Sequence, residues 1–294
     1  MVLFLQLDIT LNFKTMKIIS FLFLSIILFS SCRPKSIDID VNSATPKLVA
    51  FTHIIPDNIM IVALTKSFSM LEGNTVDSIQ NLLVSGASVQ LKFNNQVFDF
   101  YELSPGIYAS YSSAFQTNGE YEFTATFGNE TITSTTTMLP KVAFTSVIPT
   151  IEKTKTDTTT YITINFTDNN ATENWYLLNF YKKQPTSVGA DIVNYFNNGN
   201  NTLAKTLLVS DKEFDHIYQN KIKLPELYHK DSIVVTLSNI NEGYFNYLGY
   251  RIGHGNIFTE LNLEPLNYPT NIKNGYGFFN THFPDVKYFD LGDY

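Results

Sequence analysis

From Lys47 onward, apolar residues recur at every second position in short stretches, and turn residues close each stretch. Val89, Leu91 and Phe93 alternate behind Ser85-Gly86, and Tyr121, Phe123, Ala125 and Phe127 alternate ahead of Gly128-Asn129. A period of two lines up side chains on one face of a strand, and a helix of 3.6 residues per turn cannot use it. Leu48-Val49-Ala50-Phe51 and residues 59–64 are shorter, continuous apolar runs, split by Pro56-Asp57-Asn58; Asn94-Asn95 and Pro105-Gly106 supply further turns. Seven short strands at this spacing predict a β-sandwich over residues 47–140. Within it, Asn118-Gly119-Glu120-Tyr121 reads as a tyrosine corner, or Tyr121 is a plain strand aromatic.

Leu139-Pro140 and the Thr/Lys-rich run 152–160 mark a boundary, after which residues 141–294 form a second β-rich domain. It opens on Thr160, Ile162, Ile164 and Phe166 in alternation, passes the polar turn Asp168-Asn169-Asn170, and enters a dense apolar strand at 175–181. Ser210-Asp211-Lys212-Glu213 has the pattern of a capping box, which predicts a short helix carrying Phe214, Ile217 and Tyr218 on one face. Residues 233–237 read as a strand. Tyr244, Tyr247, Leu248 and Arg251 stand at helical spacing and predict a second short helix over 242–251. No repeat is visible between the two halves.

The chain has one cysteine, and its position is informative. Residues 18–31 are apolar except for serines, follow Lys14 and Lys17, and end directly before Cys32. A run of 14 residues has the length of a signal-peptide core, whereas a membrane span needs about 17–25. Leu28-Phe29-Ser30-Ser31-Cys32 resembles a bacterial lipobox, in which small residues admit the peptidase and the cysteine thiol takes up lipid. Residues 1–31 are therefore expected to be a signal peptide, with Met16-Lys17 as a more ordinary start than Met1. Cys32 is the expected lipidated N-terminus, and 32–46 a polar tether. Loss of 1–31 leaves 18 basic and 26 acidic residues, a charge of −8 over 263 residues. That balance excludes nucleic acid, which requires clustered basic residues to displace phosphate counterions.

Enzyme motifs do not occur: there is no Gly-x-Ser-x-Gly elbow, no His-Glu-x-x-His helix and no phosphate-binding glycine loop, so neither cofactor nor metal is called for. Asp168, Asn170 and Glu173 could ligate calcium from one loop, but Asp and Asn at such spacing also make ordinary turns, and the turn is the preferred reading. His53, His216, His229, His254 and His282 are scattered. The aromatics of the second half exceed what a core needs, and Tyr244, Tyr247, Tyr268 and Tyr276 are the candidates for a partner or ligand contact. Asp77-Ser78 and Asp231-Ser232 fit a short O-glycosylation pattern that chance also explains.

Ile37-Asp38-Ile39-Asp40, Pro46-Lys47-Leu48-Val49, Val84-Ser85-Gly86-Ala87-Ser88-Val89, Gly106-Ile107-Tyr108 and the late Pro269-to-Phe279 segment, taken in order, resemble the Bacteroidota lipoprotein family called domain of unknown function 4249. The end departs from that pattern, with Phe283-Pro284-Asp285 where another regular strand is expected. The resemblance implies an immunoglobulin-like first domain and an outer-membrane lipoprotein, encoded near TonB-dependent transporters and without established catalytic activity. It leads to a non-enzymatic accessory or binding lipoprotein serving such a transporter or an assembly complex. The other readings are a structural envelope lipoprotein with no ligand and, last, an unrecognised glycan or peptide hydrolase. The periplasmic and surface-exposed faces of the membrane both stay open.

Overall fold

Strands carrying the alternating pattern are solvated on one face, and those with continuous apolar runs are buried on both; this difference sets the architecture. The computed structural model describes residues 45–56, 59–67, 82–110, 116–155, 158–169, 171–182, 203–224, 231–252 and 269–294. These belong to one unit, Ser43–Tyr294.

The first sandwich contains β1 (Leu48–Ile54), β2 (Met60–Lys66), β3 (Ser88–Phe93), β4 (Gln96–Asp99), β5 (Tyr101–Ser104), β6 (Ile107–Ser110), β7 (Glu120–Phe127) and β8 (Glu130–Thr137). The second contains β9 (Phe144–Lys153), β10 (Thr158–Thr167), β11 (Trp175–Tyr181), β12 (Leu203–Ser210), β13 (Ile217–Leu224), β14 (Ser232–Ile240) and β16 (Asp285–Asp290). Between β14 and β16 the chain forms helix α1 (Glu242–Arg251) and the short strand β15 (Tyr276–Phe278).

Sheet I runs β15-β1-β2-β6-β5 and sheet II runs β4-β3-β7-β8. Without β15, this is the A-B-E-D and C′-C-F-G order of immunoglobulin domains. Sheet III runs β13-β10-β9 and sheet IV β12-β11-β14-β16, the same order without a D strand. The halves thus share a topology, although no sequence repeat announces it. A strand order records backbone pairing, which many different side-chain sets satisfy.

Sheets I and II enclose one core, with Leu48, Met60, Val62 and Leu64 against Val89, Leu91, Phe123 and Ala125. Sheets III and IV enclose another, with Ile162, Ile164 and Phe166 against Tyr176, Leu178, Phe180 and Val235. A third core joins the sandwiches: Val49, Phe51, Ile61 and Ala63 on the far face of sheet I meet Leu177, Tyr181, Val234 and Ile240 on the far face of sheet IV, with Tyr244 and Tyr247 of α1. Sheets I and IV are therefore inner layers, and β1, β2, β11 and β14 are buried almost throughout. Strands β3, β7, β10 and β13 each keep one face in water and alternate.

Local chemistry sets the turns. Asn94 and Asn95 both adopt positive φ, 48° and 63°, the backbone that a two-residue turn between twisted antiparallel strands demands. Tyr121 makes the tyrosine corner, since its Oη accepts from the Gln116 N–H at 2.9 Å and donates to the Gln116 carbonyl at 3.1 Å.

Three expectations are corrected. The capping box forms, with Ser210 and Glu213 bonding each other's backbone, but it caps a single 3-10 turn, Asp211–Glu213. Phe214 is already extended, and Ile217 and Tyr218 lie in β13, where pairing with β10 outweighs a helical preference three residues long. The run 152–160 contains the ends of β9 and β10 and so lies inside the second sandwich. The chain end does supply a regular strand: β16 begins at Asp285, directly after Pro284, and pairs with β14 from Ser232↔Asp290 to Leu237↔Asp285. Helix α1 matches the expected 242–251.

Candidate functional site

The connection from β14 to β16 leaves the second sandwich, lays α1 into the joining core, adds β15 to the edge of sheet I and returns. Its polar groups converge on β1. The Thr52 hydroxyl accepts from the Asn280 N–H at 2.9 Å and donates to the Asn280 carbonyl at 3.1 Å. Tyr244 Oη donates to the Thr52 carbonyl at 3.4 Å. His53 Nε2 lies 3.4 Å from Tyr181 Oη, and His282 Nδ1 lies 3.2 Å from Asn280 Nδ2. Asn241, at the start of α1, donates to Thr136 Oγ1 and Asn280 Oδ1, both at 3.0 Å. The network draws on both sandwiches and the connection between them.

Burial disfavours charge here. It lowers His53 to about 4; His282 falls to about 3, through burial first and the neighbouring His53 second. Both imidazoles are neutral at pH 7. Burial also pushes Tyr244 up to about 12, against a smaller opposing effect of Arg251. The Arg251 guanidinium lies 4.7 Å from the Phe51 ring centre and donates to Tyr247 Oη at 2.7 Å. The two imidazoles and the Tyr244 phenol are neutral and the Arg251 cation is held against aromatic rings, as members of a structural lock are.

The turn 168–174 borders a cleft of about 450 Å³ lined by Asp168, Thr172, Glu173, Asp211, Lys212 and His216, among others. Its chemistry is that of a turn. The Asp168 carboxylate accepts from Tyr176 Oη and, at 3.1 Å, from Asn174 Nδ2. Asp211 accepts from the Asn174 N–H at 2.7 Å, and Asn169 Oδ1 from the Ala171 N–H at 3.2 Å. Glu173 makes an exposed pair with Lys212 at 3.2 Å. Asn170 lies outside the described residues. Among the described residues no three His, Cys, Asp or Glu side chains gather as metal ligands. Burial, then the bond to Asp168, pushes the Tyr176 phenol far above its ordinary range.

The tyrosine patch needs correction. Tyr244 is 4 % exposed and Tyr247 2 %; their rings stack with centres 6.2 Å apart, and Tyr247 lies 5.1 Å from Phe278. Both face the joining core because α1 turns that side toward sheet I, so neither offers a contact surface. Tyr276 is half-buried at the edge of sheet I, with Lys47 Nζ 5.4 Å from its ring centre. Cys32, Tyr268, Ser78, His229 and His254 lie outside the described residues. Ser232 is exposed at the start of β14, and the adjacent Asp231 pairs with Lys182 at 3.5 Å.

Sequence reasoning missed the Thr52-His53 and Asn280-to-His282 network. A signal was present: adjacent Thr52 and His53 interrupt an apolar strand, and buried polar groups must find partners or be costly. Their partners come from distant segments, which spacing does not reveal.

Two stacked β-sandwiches with immunoglobulin-type strand order, fastened by a helix-and-strand excursion, define the class. The chain belongs to the family described as Domain of unknown function (DUF4249), which matches residues 35–283. A crystal structure of a DUF3823 family protein from Parabacteroides merdae ATCC 43184 is similar over 54 % of this chain and 83 % of that one, with 11 % identity and a TM-score of 0.19. No curated protein matches the sequence.

Proposed function

We propose that the chain is a non-enzymatic cell-envelope lipoprotein, held at the outer membrane by lipid on Cys32, that serves as an accessory or binding partner of a TonB-dependent transporter or an assembly complex. The observation that carries this reading is the use the fold makes of its polar chemistry. Asp168, Asp211, His53 and His282, the groups a catalytic site would draw on, are bonded into turns and into the junction between sandwiches. A tether supports the same reading, because two proteins confined to one membrane need only a modest contact. The test is membrane fractionation of Cys32→Ser, which should leave the chain unprocessed or outside the outer-membrane fraction. Recovery of that variant in the outer membrane, mature in size and acylated, would overturn the anchoring.

A further inference from the structure

The cleft beside the turn 168–174 is acidic and keeps carboxylate oxygens that the turn does not use. Asp168, Glu173, Asp211 and Asp215 line it against two basic side chains, Lys212 and His216. Lys212 is held by Glu173 at 3.2 Å. Asp168 and Asp211 are both fixed on Asn174: Asp168 Oδ1 accepts from its Nδ2 at 3.1 Å, and Asp211 Oδ2 from its N–H at 2.7 Å. One oxygen of each is left over. Asp168 is 7 % exposed, and its Oδ2 makes no hydrogen bond among the described residues. Asp211 Oδ1 is shut away from water and has no partner either.

Two carboxylates that share one anchoring residue repel, and withdrawal from water raises the cost of each. A cation entering the cleft would offset that cost. Two features define the cation. Among the described residues no three His, Cys, Asp or Glu side chains gather as metal ligands. Part of the lining is also apolar, Ala171 and the Phe214 ring. That ring lies 6.2 Å from Tyr176, whose Oη donates to Asp168, so the aromatic face is next to the carboxylate. A metal ion gains nothing from hydrocarbon, whereas an arginine lays its stem and planar guanidinium along it. The volume, about 450 Å³, admits such a side chain.

We propose that this cleft receives an arginine side chain from an exposed segment of a partner protein. The proposal rests on the accessory-lipoprotein reading and names the chemistry of its contact. The guanidinium donates to Asp168 Oδ2 and packs on Phe214, while Asp211 and Asp215 set a negative field around it. A contact of this size is weak, which two proteins on a shared membrane tolerate.

The test is saturation-transfer NMR on the full chain in non-ionic detergent. The probe is acetyl-Gly-Arg-Gly-amide, and its citrulline analogue, similar in shape but uncharged, is the control. The arginine peptide should bind with a dissociation constant near roughly 1 mM, at least about tenfold tighter than the citrulline peptide. Asp211→Asn keeps the acceptor for the Asn174 N–H and removes the charge; it should weaken binding at least about fivefold. Asp215→Asn, at an exposed position, should weaken binding about twofold. Lys212→Gln removes the competing cation and should tighten binding; these two surface variants read the site even where Asp211→Asn does not fold. Equal binding of the two peptides, an unchanged affinity in a folded Asp211→Asn, or weaker binding by Lys212→Gln would overturn the site. So would displacement of the peptide by calcium chloride at an ionic strength where sodium chloride leaves it bound, because the cleft would then be a metal site. Arginine-selective binding by a chain that captures no protein from cross-linked cells would keep the site and overturn its partner.

Discussion

Gly277 lies directly across from Ala50 in a parallel ladder, although β2 to β14 intervene in the chain. This pairing makes the first sandwich depend on the C-terminal segment. Gly277 has φ of +97°, and a Cβ there would run into the Ala50 carbonyl. Gly277→Ala should therefore cost about 3 kcal/mol or more. Gly86 also has positive φ, +75°, but open space around it, so Gly86→Ala should cost about 1 kcal/mol. Urea unfolding midpoints decide; equal losses would mean that β15 does not hold sheet I.

The histidine pair predicts an acid-sensitive junction. Both folded pKa values lie below the ordinary 6.5, at about 4 for His53 and about 3 for His282. The unfolded chain then binds protons first, so stability is fully present above pH 6.5 and is lost as pH falls through about 4 and then about 3. The loss should be on the order of a few kcal/mol. Replacing both residues with Gln should flatten the fall in melting temperature between pH 6.5 and 4 relative to wild type. Parallel curves would show that carboxylates elsewhere dominate.

Tyr247 and Tyr250, one turn apart on α1, differ sharply in exposure and should behave differently. Tyr247 is 2 % exposed and Tyr250 61 %. Removing a buried aromatic ring costs about 3–5 kcal/mol, so Tyr247→Ala should lower the melt by roughly 10 °C, and Tyr250→Ala should lie within about 0.5 kcal/mol of wild type. A mild Tyr247→Ala would return that residue to the surface, as the excess of aromatics had suggested.

Tyr121→Phe isolates the tyrosine corner. The ring stacks on Phe93 with centres 4.5 Å apart and would stay, while both bonds to Gln116 are lost. The expected cost is about 1–2 kcal/mol by chemical denaturation. A neutral change would make Tyr121 the plain strand aromatic that the sequence also allowed.

Legibility tracked the range of the interactions. Period-two segments such as 89–93 and 121–127 declared their strands because alternation is local and one face meets water. The helix at 242–251 was legible from the same kind of spacing. Which face of that helix was covered was not, because its cover, Phe51 and Phe278, comes from both ends of the chain. The capping box misled because it specifies the first turn alone and leaves the conformation of Phe214 and later residues to strand pairing. His53 and His282 could not be joined by spacing, since β15 and the return to β16 bring them together only once both sandwiches exist.

The central claim is that this double sandwich works as a tethered partner of an outer-membrane protein. Cross-linking in intact cells, then affinity purification of the tagged chain from membranes and identification of its companions, tests that claim most directly. The predicted result is enrichment of an integral outer-membrane transporter or assembly component with the wild-type chain, and loss of that component with Cys32→Ser. A chain that comes down alone, or whose companions are unchanged by Cys32→Ser, would contradict it.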